Sequence, residues 1–131
     1  KWHCEKCKEA VKARKKIDLW KLPPVLVLHL KRFEYNVRSQ RFMKINSALK
    51  APEVLDLIEF CSSRQRHGAV YQVVSVANHV GGYGSGHYTA MCKVGSGPDA
   101  PWYNFNDEHV SPVKAGTEVV GAAAYVIFLV R

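Results

Sequence analysis

Between positions 71 and 130 the chain sets four runs of β-branched, aromatic and apolar residues against glycine- and proline-rich breaks, and this punctuation points to antiparallel strands. The runs are 71–79, 87–93, 102–107 and 122–130. The breaks include Gly81-Gly82-Tyr83-Gly84-Ser85-Gly86 and Gly95-Ser96-Gly97-Pro98-Asp99-Ala100-Pro101. Together they predict an antiparallel meander in one twisted sheet. Upstream, 25–33 is apolar on both pleat faces before turning charged at Lys31, as a central strand would be, and Leu22-Pro23-Pro24 marks its start. Residues 34–40 read as a hairpin tip or loop, 52–58 as a short helix or a strand edge, and 64–68 as a turn.

The chemistry-bearing stretch is Gly86-His87-Tyr88-Thr89-Ala90 followed by Trp102-Tyr103-Asn104-Phe105-Asn106-Asp107. His87 stands where the glycine run enters a strand, a place where loops present functional groups on a rigid support. If 87–93 and 102–107 pair about a centre near Gly97, His87 comes beside Asn106 or Asp107. Pairing with Asn106 gathers Tyr88, Ala90 and Cys92 with Tyr103 and Phe105 on one face. His87 and Thr89 then share the other with Asn104 and Asn106, although Met91 and Trp102 fall on that more polar side. This register is preferred for Asn106, and a one-residue slip would substitute Asp107. A carboxamide suffices as the third member of a triad only when the nucleophile is cysteine. A thiolate–imidazolium pair already carries its charge, so its partner need only hold the ring.

No obvious nucleophile accompanies this pair. Cys61, in Phe60-Cys61-Ser62-Ser63, and Cys92, inward on its strand, read as buried or surface thiols. Cys4-Glu5-Lys6-Cys7 is half of a zinc-ribbon signature, because two intervening residues let one tight turn offer both thiolates to a tetrahedral ion. His3 is a weaker ligand candidate. With no signal peptide, no apolar run of transmembrane length and a Cys-x-x-Cys pair, a reducing compartment, cytoplasm or nucleus, is the expectation. The 131 residues, 47% of them hydrophobic, can form a core of ordinary size. They begin in mid-motif at Lys1-Trp2, so part of the apolar surface is expected to pack on other sequence.

The chain resembles the C-terminal part of a ubiquitin-specific protease catalytic domain, a papain-like cysteine protease with thumb, palm and fingers. The matching blocks are Trp2-His3-Cys4-Glu5-Lys6-Cys7, residues 15–33 ending in Leu28-His29-Leu30-Lys31-Arg32-Phe33, Lys44-Ile45, Leu55-Asp56-Leu57 and residues 71–79. Gly86-His87-Tyr88, residues 102–107 and Ala123-Ala124-Tyr125-Val126-Ile127-Phe128 complete the series. The resemblance implies an α+β fold, the palm and fingers portion dominated by an antiparallel twisted sheet and incomplete without the N-terminal thumb half. Residues 1–16 would end the zinc-ribbon fingers and 17–131 form the palm. It implies His87 as general base, Asn106 as its orienting partner and Asp107 as an assisting polar position. The family's nucleophile lies in an Asn-x-Gly-Asn-x-Cys-type box that is absent here, so the chain is expected to be a fragment, inactive alone. Ubiquitin and ubiquitinated proteins are the implied partners. No cofactor is expected for catalysis, and a structural zinc on Cys4 and Cys7 would need a second cysteine pair from outside the chain. His79, Gly86 and Tyr88 are the candidate substrate-binding residues, with glycines 81–86 clearing a passage for a Gly-Gly terminus. Tyr88 is on the opposite pleat face from His87, which favours core support over substrate contact, and Trp102 is expected to help shield His87.

The net charge of +8 is local. Lys1, Lys6, Lys8, Lys12, Arg14, Lys15 and Lys16 crowd the start, followed by Lys31, Arg32, Arg38, Arg41 and Lys44. This reads as a solvated fingers surface. The alternative from another class is a non-catalytic basic zinc-knuckle module that binds nucleic acid or protein. Few aromatics interleave with the lysines beyond Trp2 and Trp20, which argues against nucleic acid, and no membrane partner is expected.

Overall fold

The computed structural model describes residues 1–62 and 68–131, so most of the turn expected at 64–68 lies outside the described residues. Two short ribbons stand beside one large sheet. In the first, β1 (Trp2–His3) pairs antiparallel with β2 (Ala10–Val11) and frames the cysteine knuckle. In the second, β4 (Phe33–Asn36) pairs with β5 (Arg41–Lys44), so the segment expected as a hairpin tip is already strand through Asn36 and turns only over 37–40. Asn36 Oδ1 accepts the amides of Arg38 and Ser39 and closes that turn locally.

The seven-stranded sheet consists of β3 (Val25–His29), β6 (Val54–Asp56), β7 (Val70–Gly82), β8 (Ser85–Lys93), β9 (Trp102–Asn106), β10 (His109–Pro112) and β11 (Ala124–Val130). Its order is β10-β9-β8-β7-β11-β3, with β6 pairing the start of β7, and each of these pairs is antiparallel. The segment at 52–58 thus supplies a strand, and a 3-10 turn follows at Ile58–Phe60. That turn is the only helical element among the described residues, so the helical share of the α+β class is nearly absent from them.

The meander expectation holds for β7 to β10 and fails at the last strand. β11 returns past three strands to lie between β7 and β3, and β3 takes the edge. Both runs are apolar on two faces, which is why alternation could not rank them. Ile127 and Leu129 of β11 are 2% and 1% exposed, whereas Val25 and Val27 of β3 are 52% and 49% exposed. Across the covered face, Leu26 pairs with Leu129, Leu28 with Ile127, Ile127 with Val76 and Val76 with Met91. Leu22, Leu57, Cys61, Val119 and Val120 from the connections pack into the same core. Each fully buried large side chain there contributes about 1.5–3 kcal/mol. Tyr71, wholly buried, keeps its hydroxyl satisfied by donating to the Pro23 carbonyl at 2.5 Å.

Candidate active site

The glycine run is not a floppy loop but a tight hairpin. β7 continues through Gly82, β8 begins at Ser85, and Tyr83-Gly84 alone turns the chain, with Gly84 at φ 81°. Gly81 and Gly86 face each other across it. A Cβ on Gly86 would run into the His79 imidazole and lie 2.6 Å from the Val80 carbonyl, and one on Gly81 would lie 2.7 Å from the Gly86 Cα. Glycine at these two positions is therefore demanded by the hairpin's own packing, whatever passes by.

His87 leaves this hairpin at the head of β8, and its Nε2 lies 2.6 Å from Oδ1 of Asn106, the last residue of β9. The contact is diagonal. Ala90 is opposite Phe105 and Met91 opposite Asn104, a register shifted two residues from the expected pairing of His87 with Asn106. A two-residue shift preserves pleat parity, so the expected faces survive while the direct opposition does not. Since Oδ1 can only accept, the geometry assigns the hydrogen to Nε2 and leaves Nδ1 as the basic nitrogen. Asp107 is not a strand residue. It occupies the β9–β10 turn at φ 52°, is 73% exposed and places Oδ2 3.8 Å from His87 Nε2.

On the opposite pleat face a cleft of about 480 Å³ opens between Phe33, His79, Tyr83, Tyr88, Tyr125 and residues 84–86. His79 and Gly86 both line it, and so does Tyr88. Tyr88 is 57% exposed and tilted 4.8 Å from His79, which overturns its reading as core support. Tyr125 enters the cleft because β11 bulges there. Ala124 pairs with Asn78 and Val126 with Ala77, leaving Tyr125 outside the ladder and re-aimed. It meets the rings of His29 at 4.7 Å and Phe33 at 5.9 Å. Phe42 of β5 stacks on Tyr83 at 4.1 Å, so the two hairpins touch at the cleft mouth. Phe33, Tyr83 and Tyr125 are cleft residues that the alternation of the sequence did not signal, since a bulge and two hairpin contacts place them.

His79 is 4% exposed, and its Nδ1 is buried without a partner. Burial first, and the nearby Lys44 ammonium second, hold its imidazole below the ordinary histidine range. Lys44 Nζ donates to the His79 carbonyl at 2.5 Å. Trp102 does not shield His87. It pairs with Lys93 at the far end of β8, where the Lys93 ammonium sits 5.7 Å from its ring centre.

The other cysteines are remote from the imidazole. Cys61 is buried with its thiol donating to the Leu57 carbonyl at 3.1 Å, and Cys92 lies 3.0 Å from Ser75 Oγ on the face opposite His87. Cys4 and Cys7 come together in the knuckle, where the Lys8 amide donates to the Cys4 carbonyl at 2.8 Å and Lys8 takes φ 57°. The Cys4 thiol is lowered from its ordinary value by the Cys7 amide first, then by the Cys7 thiol and the Lys6 amide. Amides aimed at a sulfur suit a metal-bound thiolate, and the pair fits half of a tetrahedral ligand set. Among the described residues no group of three or more ligating side chains completes it.

Of the basic residues, Lys1, Lys12, Arg14, Lys15 and Lys16 line a surface depression with Trp2. Arg32 departs from the surface reading: it is 5% exposed and satisfied by main-chain carbonyls. No helix among the described residues is long and apolar enough to cross a membrane.

The antiparallel sheet with its two ribbons is the palm and fingers portion of a papain-like cysteine protease fold. A profile of the ubiquitin carboxyl-terminal hydrolase family matches residues 1–129, and the chain belongs to that family. It is 44% identical to ubiquitin carboxyl-terminal hydrolase 9 of Arabidopsis thaliana over 133 aligned positions, covering 99% of this chain and 14% of the relative. Ubiquitin carboxyl-terminal hydrolase 15 of Homo sapiens is likewise 44% identical, with 99% and 13% covered. The chain thus spans about one-seventh of the length of these relatives. Among solved structures, the SAGA Ubp8/Sgf11/Sus1/Sgf73 module bound to ubiquitin aldehyde superposes with a TM-score of 0.81 at 29% identity, over 98% of this chain and 29% of that one. The same module with Ubp8(C146A), bound to monoubiquitin, gives 0.80 at 30% identity, over 98% and 28%.

Proposed function

We propose that this chain supplies the base and its orienting partner to a deubiquitinating thiol hydrolase, which cleaves isopeptide or peptide bonds at the ubiquitin C-terminus. The observation that carries the reading is the 2.6 Å contact between His87 Nε2 and Asn106 Oδ1. Asn106 holds the ring and its tautomer, so Nδ1 is the atom that takes the thiol proton from the nucleophilic cysteine. The family resemblance implies that this cysteine lies in the other half of the catalytic domain, and the cysteines here suit other roles: Cys61 is buried, Cys92 faces away, and Cys4 and Cys7 form the knuckle. The thiolate adds to the carbonyl of ubiquitin's terminal glycine. His87 then returns its proton to the departing lysine amine, leaving a thioester. Water, deprotonated by His87, hydrolyses that thioester and restores the thiol. Asp107, exposed and 3.8 Å away, adds field rather than orientation.

The cleft beside Gly86 would receive the extended tail, with His79 and Tyr88 along its walls. Cys4 and Cys7 would hold half of a structural zinc whose remaining ligands come from the fingers, an ion that supplies folding energy and no chemistry. The cytoplasm or nucleus is the compartment that suits free thiols.

The test uses the full-length protein and a ubiquitin carrying an electrophile in place of its C-terminal carboxylate. Covalent capture is expected, and it should vanish in His87→Ala. A wild-type protein that is folded yet inert to this reagent refutes the reading.

A further inference from the structure

The guanidinium of Arg32 is buried, and no carboxylate pairs with it among the described residues. Its whole charge is solvated by backbone. Nε donates to the Ala124 carbonyl at 2.5 Å, Nη1 to the carbonyls of Ile45 and Ser47 at 2.9 Å each, and Nη2 to that of Gly121 at 3.4 Å. A buried cation is costly unless its donors are met, and a planar fork with five N–H groups can meet all four of these carbonyls at once, whereas an ammonium has only three donors. The acceptors come from two distant segments, the chain leaving β5 and the approach to β11.

What these segments carry is the cleft. Arg32 itself and two of its four acceptors, Ala124 and Ile45, are chain neighbours of a cleft wall or its support. Arg32 precedes Phe33, and Ala124 precedes Tyr125. Ile45 follows Lys44, whose ammonium reaches the His79 carbonyl. Phe33 and Tyr125 meet at 5.9 Å, and Phe33 and His79 at 5.6 Å. A shift of the β5 exit relative to β11 would displace Phe33 and Tyr125 with respect to one another and to His79, and so change the width of the cleft.

We propose that Arg32 is a positioning residue for substrate: its guanidinium fixes the β3–β4 link, the β5 exit and the β11 bulge to one another and thereby sets the width of the Phe33–His79–Tyr125 cleft, with Lys44 as its outer tie. This rests on the deubiquitinase reading above, with the cleft as the tail's seat. Arg32 touches neither the reacting atoms nor His87, so its loss weakens tail binding and spares the chemical step.

The experiment takes the full-length protein and a fluorogenic ubiquitin C-terminal amide, with active sites titrated so that kcat refers to folded enzyme. Arg32→Lys is expected to raise KM about tenfold, roughly the effect of one lost positional hydrogen bond, with kcat changed less than about threefold. Val73→Ala, in the buried core of β7, serves as the stability control. It should lower Tm and leave KM unmoved. If Arg32→Lys leaves KM within about twofold of wild type, or if Val73→Ala raises KM as much, the positioning role is overturned. Should Arg32→Lys not fold, Lys44→Met must raise KM in its place, and an unchanged KM there overturns the proposal equally. An inert wild-type protein refutes the functional reading and this inference with it, whereas an active wild type with unmoved KM refutes this inference alone.

Discussion

His87 and Asn106 meet diagonally across β8 and β9, with Nε2 and Oδ1 2.6 Å apart, while Asp107, one residue further along, has turned away into a left-handed position. Orientation of the imidazole therefore falls to a neutral amide. Asn106→Ala in the full-length protein should lower kcat/KM about 10- to 100-fold, and Asn106→Asp, which keeps an acceptor in place, should stay within about threefold of wild type. Asp107→Asn should change it less than about twofold. Steady-state kinetics on a fluorogenic ubiquitin amide decide the matter, and a larger loss at Asp107 than at Asn106 would reverse the assignment.

The two sides of the glycine hairpin should differ sharply in tolerance. Gly86→Ala drives a methyl into His79 and the Val80 carbonyl, so it should destabilise by about 1–3 kcal/mol and close the cleft. At Gly82 a Cβ meets nothing within 4 Å and no left-handed backbone is required. Gly82→Ala should therefore change stability by less than about 0.5 kcal/mol. Denaturant unfolding of both variants measures the contrast.

His79 makes the fold sensitive to acid. Its imidazole is held below the ordinary range by burial and then by Lys44, so the unfolded chain takes up a proton before the folded one does. Stability from this residue is complete above about pH 6.5, where an exposed histidine titrates, and is lost as pH falls from there toward the depressed folded value. His79→Gln should flatten the fall of Tm across that acid window, although it lowers Tm at neutral pH. An unchanged acid slope would show that another group carries the dependence.

The knuckle should bind zinc only together with its missing partners. Full-length protein should contain one zinc that Cys4→Ser removes, read by metal analysis of the purified protein, and chelation should loosen the β1–β2 ribbon before the palm. Wild-type protein purified without zinc, and unchanged by added zinc, would identify the Cys4–Cys7 pair as a relic.

The alternation of the sequence determined which side chains share a face. His87, Thr89, Asn104 and Asn106 stand together in any register of even shift, because the strand period of two is a local property of the backbone. The family and the nearness of His87 to Asn106 were legible because both rest on motifs contiguous in the chain. Register was not. The β8–β9 loop closes with the Val94 amide on the Pro101 carbonyl and Lys93 Nζ on that of Pro98, which centres the hairpin between Gly97 and Pro98 and makes the His87–Asn106 contact diagonal. Only the tertiary structure put β11 inside the sheet and β3 at its edge, aimed Tyr125 into the cleft through a bulge, and drew Arg32 out of an apparently solvated basic run. Those outcomes depend on partners dozens of residues away, and no local period encodes them.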